Sequence, residues 1–534
     1  MKKIITSIYF CVSVVVLSAQ YSLTFKDINP TGDASPLSLN PQGFLNGKMY
    51  FNANDGVNGF SLWETDGTIA GTKLTAPVYA DRFLNYNNKL YFRGGLNSDL
   101  YVTDGTAAGT KVVSPFSARN PFTSIVFDGK IFYGGQYGGS GAELWVSDGT
   151  DTGTHLFKDI NTTGNDPGVY YSMIVYNGKL YFEGDNGTSG RELFVCDGTP
   201  TGTSLLKDIY AGATGSFPRD LTIFNGKLYF TADNGTNGAE LWVTDGTTAG
   251  TQMLKDIYTG TNGARAYTYG ITLYNNKLYF AAQDAATGIE LWQTDGTSSG
   301  TTMVADFFAG TIGSDPRFIT VYQNKLFFSA YTSAGVELCV SDGTNAGTQL
   351  FKDVNTFVSG ATPYGSSPWS LTIWNDKLAF IGDISTTAAH DNQLFVTDGT
   401  VSGTKMVQPA VAPNINPLGS SSYFGNLTPF KNSLFYAANY DGIGAELWKL
   451  NDVAFNAIDE SEAGVFSLYP NPIKEGVLTI TTVERTTYSI NDLTGKQLQS
   501  GELNAGENKI QLGNYSPGVY IINTSIGNQK LVIQ

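Results

Sequence analysis

Gly238-Ala239-Glu240-Leu241-Trp242-Val243-Thr244-Asp245-Gly246-Thr247, followed after two residues by Gly250-Thr251, is the stretch whose reading decides the fold. Its Asp-Gly-Thr core recurs at Asp66, Asp104, Asp148, Asp197, Asp245, Asp295, Asp342 and Asp398. Successive Asp positions lie 38, 44, 49, 48, 50, 47 and 56 residues apart. A ninth copy, Glu446-Leu447-Trp448, lacks the Asp-Gly-Thr tail. A period of about 40–50 residues marks a propeller, solenoid or array.

Each unit reads as four short strands. In the fifth these are Leu221 to Phe224, a strand opening with Lys227-Leu228-Tyr229-Phe230, Glu240 to Thr244, and Gln252 to Ile257. Asn225-Gly226 between the first two suits the positive φ angles of a type I′ hairpin, and similar pairs stand at this point in most units. Strands two and three are apolar on both faces, as a strand covered by neighbours on either side must be. Leu23-Thr24-Phe25-Lys26-Asp27-Ile28 matches Leu205-Leu206-Lys207-Asp208-Ile209, a fourth strand, yet no unit precedes it. The ninth unit, ending near Leu450, lacks that strand. A ring closed by pairing the two accounts for both defects. The fold expected is an all-β propeller of about nine four-stranded blades over 21–450. Eight blades plus one irregular unit is the alternative, with the short second unit as the misfit.

Composition agrees. Gly contributes 62 residues and Lys plus Arg only 32, which fits many short strands joined by Gly-rich turns. A formal charge of −15 disfavours nucleic acid and anionic membranes as partners. Lys2 and Lys3, the apolar run Ile4 to Leu17 and then Ser18-Ala19-Gln20 read as a secretory signal peptide, residues 1–19. No later stretch is apolar enough to anchor the chain in a membrane. Cys196 and Cys339 occupy non-equivalent places three units apart, so they are expected as buried free thiols.

Residues 451–464 break the repeat and form an acidic linker. From Val465 to Gln534 seven short strands suit a small Ig-like β-sandwich. This tail carries Leu468-Tyr469-Pro470-Asn471-Pro472, Tyr488-Ser489-Ile490-Asn491-Asp492-Leu493-Thr494-Gly495-Lys496, Leu512-Gly513-Asn514-Tyr515-Ser516-Pro517-Gly518-Val519-Tyr520-Ile521 and Lys530-Leu531-Val532. Those four blocks resemble the type A C-terminal sorting domain of the type IX secretion system of Bacteroidetes-type bacteria. The closing Gln534 departs from the basic ending common in that family. The resemblance implies the secretion machinery as a partner through 465–534, passage through the outer membrane, and a secreted or cell-surface destination. The repeats resemble the ELWxxDGT repeat family of secreted bacterial proteins, which is defined by its pattern and brings no catalytic motif.

Residues present in every unit serve what every unit shares, which is folding; a site needs local asymmetry. The strand-three carboxylates Glu143, Glu192, Glu240, Glu290, Glu337 and Glu446 are therefore expected to meet a Lys or a backbone amide, and no catalytic residue is assigned. Trp63, Trp145, Trp242, Trp292 and Trp448, replaced elsewhere by Tyr101, Phe194, Cys339 and Phe395, read as filling between blades. The eight Asp residues of Asp-Gly-Thr are expected to accept local N–H bonds and fix the turn. No cofactor is expected; structural calcium at the oxygen-rich loops Asp185-Asn186-Gly187 and Asp233-Asn234-Gly235 is the alternative. His155 and His390 stand apart, with no zinc spacing. In an up-and-down blade the Asn-Gly and Asp-Gly-Thr turns share one face, and the variable loops and links share the other. On the variable face, Arg82, Arg119, Arg219, Arg265 and Arg317 are expected near the channel mouth, where they either pair with the many local Asp residues or attract an anionic ligand such as a uronate or sulfated glycan. Tyr364, Trp369 and His390 in the eighth unit are candidates for a second ligand patch. The reading is a secreted or surface-displayed binding or adhesion module for an extracellular glycan or surface protein. A polysaccharide hydrolase or lyase and a purely structural surface protein are its alternatives.

Overall fold

The computed structural model describes residues 21–533 other than 114–122, 137–140, 164–167, 262, 265–269, 361, 388–389, 408–415, 419–425, 441, 443, 453–465, 470–475, 483–484, 492–496, 514, 516–517 and 525–526. The signal peptide, Arg119, Arg265 and nearly all of the expected linker lie outside the described residues. The chain divides into two compact units, Thr24–Lys449 and one that holds Leu450–Gln534.

The larger unit is propeller-like and all β, built from nine four-stranded antiparallel sheets among the described residues. In the fifth, Arg219–Phe224, Lys227–Asp233, Ala239–Thr244 and Gln252–Lys255 lie side by side in chain order. The second unit, expected as the least regular, is also a complete sheet, Ala80–Tyr86, Lys89–Gly94, Asp99–Thr103 and Lys111–Val112. Its short period comes from short connections. In seven of the nine units both residues of the first hairpin turn have positive φ, as at Asn225 and Gly226 (47° and 69°). That turn matches the twist of the strands it joins.

Among these nine sheets chain order is broken once. Tyr21–Lys26 is hydrogen-bonded beside Glu446–Asp452, in the order Tyr21–Lys26, Glu446–Asp452, Ser433–Ala438, Thr428–Phe430. Phe25 stacks on Trp448 with ring centroids 4.8 Å apart. After this strand the chain repeats contacts made within the other units. Glu240 accepts the N–H groups of Ile257 and Tyr258, both at 3.0 Å, and Glu446 accepts those of Ile28 (2.7 Å) and Asn29 (3.4 Å). Ser367 N–H donates to the Val336 carbonyl, and Ser35 N–H donates to that of Ala445.

The core lies between sheets. Tyr229, Leu241 and Val243 of the fifth unit pack with Leu278, Phe280 and Trp292 of the sixth. Phe430, Phe435 and Leu447 of the ninth pack with Met49, Phe51 and Trp63 of the first. Polar clasps accompany the packing: Tyr176 Oη donates to the Gly226 carbonyl and Tyr322 Oη to that of Asp376, each at 2.6 Å. Lys207 and Lys255 Nζ reach the carbonyls of Thr251 and Thr301 in the following units at 2.6 Å. Lys449 Nζ does the same from the ninth unit to Gly67 of the first at 2.8 Å. Cys196 and Cys339 are buried and unbridged.

The smaller unit has a three-stranded sheet of Phe466–Tyr469, Val477–Thr482 and Gly506–Gln511. A four-stranded sheet of Gln497–Leu503, Thr486–Asn491, Gly518–Thr524 and Gly527–Ile533 completes it. Leu478, Ile480, Ile490, Leu503, Ile522 and Leu531 form the core.

Glu446→Ala orphans two buried N–H groups at about 1–3 kcal/mol each, so a loss of about 2–6 kcal/mol is expected in urea unfolding. A variant as stable as the parent would show that the N-terminal strand is not held this way.

Candidate functional site

The repeated carboxylates are consumed by the fold. Glu143 accepts from Ile160 and Asn161 N–H at 2.7 and 3.1 Å. Glu337 accepts from the N–H groups of Val354, Asn355 and Ser366 and from the Ser366 hydroxyl. Burial pushes Glu143, Glu240, Glu337 and Glu446 up to about 7, against the opposing pull of those N–H bonds. Glu192 and Glu290 move in the same direction for the same reason.

The Asp-Gly-Thr turns are alike in all eight copies. Asp245 Oδ1 accepts from Thr247 N–H (2.9 Å) and Oγ1 (2.7 Å), and Thr247 Oγ1 accepts from Gly250 N–H (2.9 Å). Gly246 sits at φ 93°. A Cβ on Gly250 would fall 2.1 Å from Asp245 Oδ1, so both glycines are required. The same bonds join Asp66 to Thr68, Asp104 to Thr106, Asp148 to Thr150 and Asp197 to Thr199. They also join Asp295 to Thr297, Asp342 to Thr344 and Asp398 to Thr400. The Thr247 hydroxyl and N–H hold the exposed Asp245 carboxyl below its ordinary range.

The arginines do not form one set. Arg219 and Arg317 stand at one register position, opposite Thr231 and Ser329 on their second strands. Asp81 holds that position in the second unit, opposite Arg93, and Arg82 follows it at φ 55°. Arg93 Nε bonds Asp81 at 2.7 Å, and Arg317 Nε bonds Asp315 at 2.9 Å. The Arg219 side chain makes no hydrogen bond or ion pair among the described residues and is exposed; its charged neighbour is Asp220, whose carboxyl burial pushes up to about 6 against the opposing pull of Arg219.

Arg219 borders a cavity of about 210 Å³ with Ser216, Phe217, Thr231, Asp233 and Ala239. Phe217 is 39% exposed and sits at φ 52°, where a bulky residue is a strained outlier. The Arg191 guanidinium lies 3.6 Å above the Tyr170 ring and 5.4 Å from the Phe217 ring. Sequence reasoning passed over Arg191, Tyr170 and Phe217. The available signal was Arg191 itself, at a position held elsewhere by Ala142, Ala239, Ile289, Val336 and Ala445.

The eighth unit gathers a second cluster. Asp383 Oδ1 accepts the N–H groups of Ser385 and Asp391 at 2.8 and 2.9 Å, and Oδ2 lies 2.8 Å from His390 Nδ1. Burial pushes the Asp383 carboxyl up, but the bonds from Asp391, His390 and Ser385 more than reverse this and hold it low. The His390 side chain is 61% exposed, so a carboxylate orients an exposed imidazole through its Nδ1. Asn355 Nδ2 donates to the Ser385 carbonyl at 3.0 Å and joins this loop to the link before the unit. That link contains a small hairpin, Val358–Ser359 with Thr362–Pro363, on which Tyr364 packs edge-on against Phe357. Trp369 opens the first strand, opposite Ile381. A further cavity of about 410 Å³ lies among inner segments of four units, including Leu39, Phe318, Leu371 and Leu427.

Residues 467–534 match the secretion system C-terminal sorting domain family. The chain is thus exported by type IX secretion as a secreted or cell-surface protein, and no helix among the described residues is long and apolar enough to cross a membrane. No curated protein matches the chain. Among solved structures it is similar to the computationally designed Ika8 protein, with 14% identity, a TM-score of 0.35, and 67% of this chain and 96% of that one covered. It is similar to PorZ, a bacterial surface component of the type IX secretion system of Porphyromonas gingivalis, with 13% identity, a TM-score of 0.36 and coverage of 92% and 74%. A puromycin hydrolase gives 14% identity, a TM-score of 0.34 and coverage of 66% and 60%.

The raised carboxyls set a pH dependence. Between their ordinary value of 4.5 and about 7 the folded state binds more protons than the unfolded chain. Stability therefore falls as pH rises through that window. The lowered turn aspartates act oppositely, below their ordinary value of 3.8. A melting temperature highest near pH 4.5–5.5 and lower at both pH 8 and pH 3 is the expected outcome in a buffer series.

Proposed function

We propose that residues 21–452 close into a nine-bladed propeller of ELWxxDGT repeats. In this reading an N-terminal signal peptide and the sorting tail export the chain, and the ring serves as a binding or adhesion module outside the cell. Closure is supported by the strand Tyr21–Lys26 beside Glu446–Asp452 and by the ninth-to-first packing of Phe430 and Leu447 on Met49 and Trp63. The eight turn aspartates are assigned to folding, without calcium; a melting temperature unchanged by EDTA is expected, and a fall would overturn that assignment.

One observation carries the binding role. The repeated polar side chains are committed to backbone partners, whereas the fifth unit leaves an exposed arginine whose side chain makes no hydrogen bond among the described residues and an exposed aromatic ring together at a cavity. An extracellular glycan bearing a negative charge suits such a surface better than a protein partner, because the exposed apolar area is small. The secreted chain is expected to bind anionic glycans on an array and to turn over none of them. A polysaccharide hydrolase or lyase is the second reading, favoured by the oriented His390. Turnover that disappears in His390→Ala would establish it. Silence in binding and turnover alike would leave the structural role.

A further inference from the structure

We propose that the fifth unit holds a site for an acidic pyranose, a sugar ring bearing a carboxylate, between Phe217, Arg219, Thr231 and Asp233. The inference rests on the reading of the ring as a glycan-binding module and gives it a place and a ligand chemistry.

The seventh unit is the internal control. Arg317 and Arg219 share a register position, and the residue two before each has positive φ, 45° at Asp315 and 52° at Phe217. Both of those residues use the backbone N–H alike: Asp315 donates to the Ile289 carbonyl and Phe217 to that of Arg191. The backbone is the same and the side chain differs. In the seventh unit the Asp315 carboxylate takes the Arg317 guanidinium. In the fifth, Phe217 supplies no carboxylate and the acid stands instead at Asp220, whose carboxyl burial pushes up to about 6 against the opposing pull of Arg219. With no hydrogen bond between them, Arg219 keeps its donor fork open beside an exposed ring.

The rest of the lining fits a sugar. The Thr231 hydroxyl makes no hydrogen bond among the described residues. Asp233 Oδ1 is taken by Gly235 N–H at 2.7 Å, which leaves Oδ2 as an acceptor for ligand hydroxyls. Arg219 would pair a carboxylate in the planar, two-bond geometry that guanidinium favours. Phe217 offers an apolar surface to the C–H face of the ring. At about 210 Å³ the cavity is smaller than the roughly 300–1,000 Å³ of drug-sized sites, which suits one sugar unit. Arg191, held over Tyr170 and 3.7 Å from Glu183, packs its guanidinium 5.4 Å from the Phe217 ring.

Titration calorimetry of the full secreted chain with trigalacturonate, its neutral galactose counterpart and a sulfated galactan tests this. Binding of the uronate alone is expected. Arg219→Ala should weaken it roughly ten- to hundredfold, the loss of a charge-assisted pair, and Phe217→Ala should weaken it as well. Arg317→Ala should leave it unchanged. The Arg219 side chain is exposed and makes no hydrogen bond among the described residues, and burial already favours the neutral form of the Asp220 carboxyl beside it, so the variant should still fold and melt in one transition. Uronate binding unaffected by Arg219→Ala, equal binding of the neutral sugar, or binding of the sulfated polymer alone would each overturn the site. In those three cases the module reading survives. Absence of binding to any glycan would remove both.

Discussion

A carboxylate buried on the third strand, accepting backbone N–H groups from the link that leaves the fourth, is the constraint on which the larger unit depends. A link crossing from one sheet to the next has no ladder partner, and a buried N–H without an acceptor is costly. One glutamate supplies two or three acceptors at once, as Glu240 does for Ile257, Tyr258 and Ala264. The side chain is charged when it does this best, yet it sits where water is excluded, so its carboxyl titrates near neutrality. Units without it differ locally. Ser61 takes its place in the first unit, where Glu64 instead holds Lys48 at 2.7 Å. Gln393 takes it in the eighth and bonds Asp391 at 2.6 Å.

The fold was legible because its signals repeat. Asn-Gly pairs, Lys-Leu-Tyr-Phe runs and Asp-Gly-Thr turns state the same geometry many times, so one weak copy, such as the second unit, cannot obscure it. The orphan strand at Leu23–Ile28 was readable because its Lys-Asp-Ile ending is shared with complete units. What the sequence could not carry was side-chain pairing across loops. Arg219 and Arg317 stand in matching segments in which Asp and Phe exchange places; Asp315 hydrogen-bonds Arg317, whereas Asp220 neighbours Arg219 without a hydrogen bond, a difference that side-chain direction decides. The Asp383–His390 contact likewise spans a loop whose path no periodicity sets. The hairpin at Val358–Pro363 escaped notice because its strands are only two residues long.

Function in such a molecule has to be sought in departures from the repeat, and the structure shows how they are tolerated. The link residues Ser35, Phe217, Asp315 and Ser367 all have φ between 40° and 52°. Each donates its N–H to the preceding unit's third strand. With the conformation held by the main chain, the side chain contributes little to the path of the link and is free to change. A hydroxyl, a phenyl ring and a carboxylate can then occupy one backbone template, although the phenyl ring carries the larger steric strain. That freedom separates stability from recognition: the glutamates and turns keep the units in register, and single substitutions at the templated links write local chemistry onto one end of the sheets. The fifth unit is where such a substitution has left the Arg219 guanidinium without the hydrogen-bonded carboxylate that Arg317 has, with Asp220 beside it as its charged neighbour.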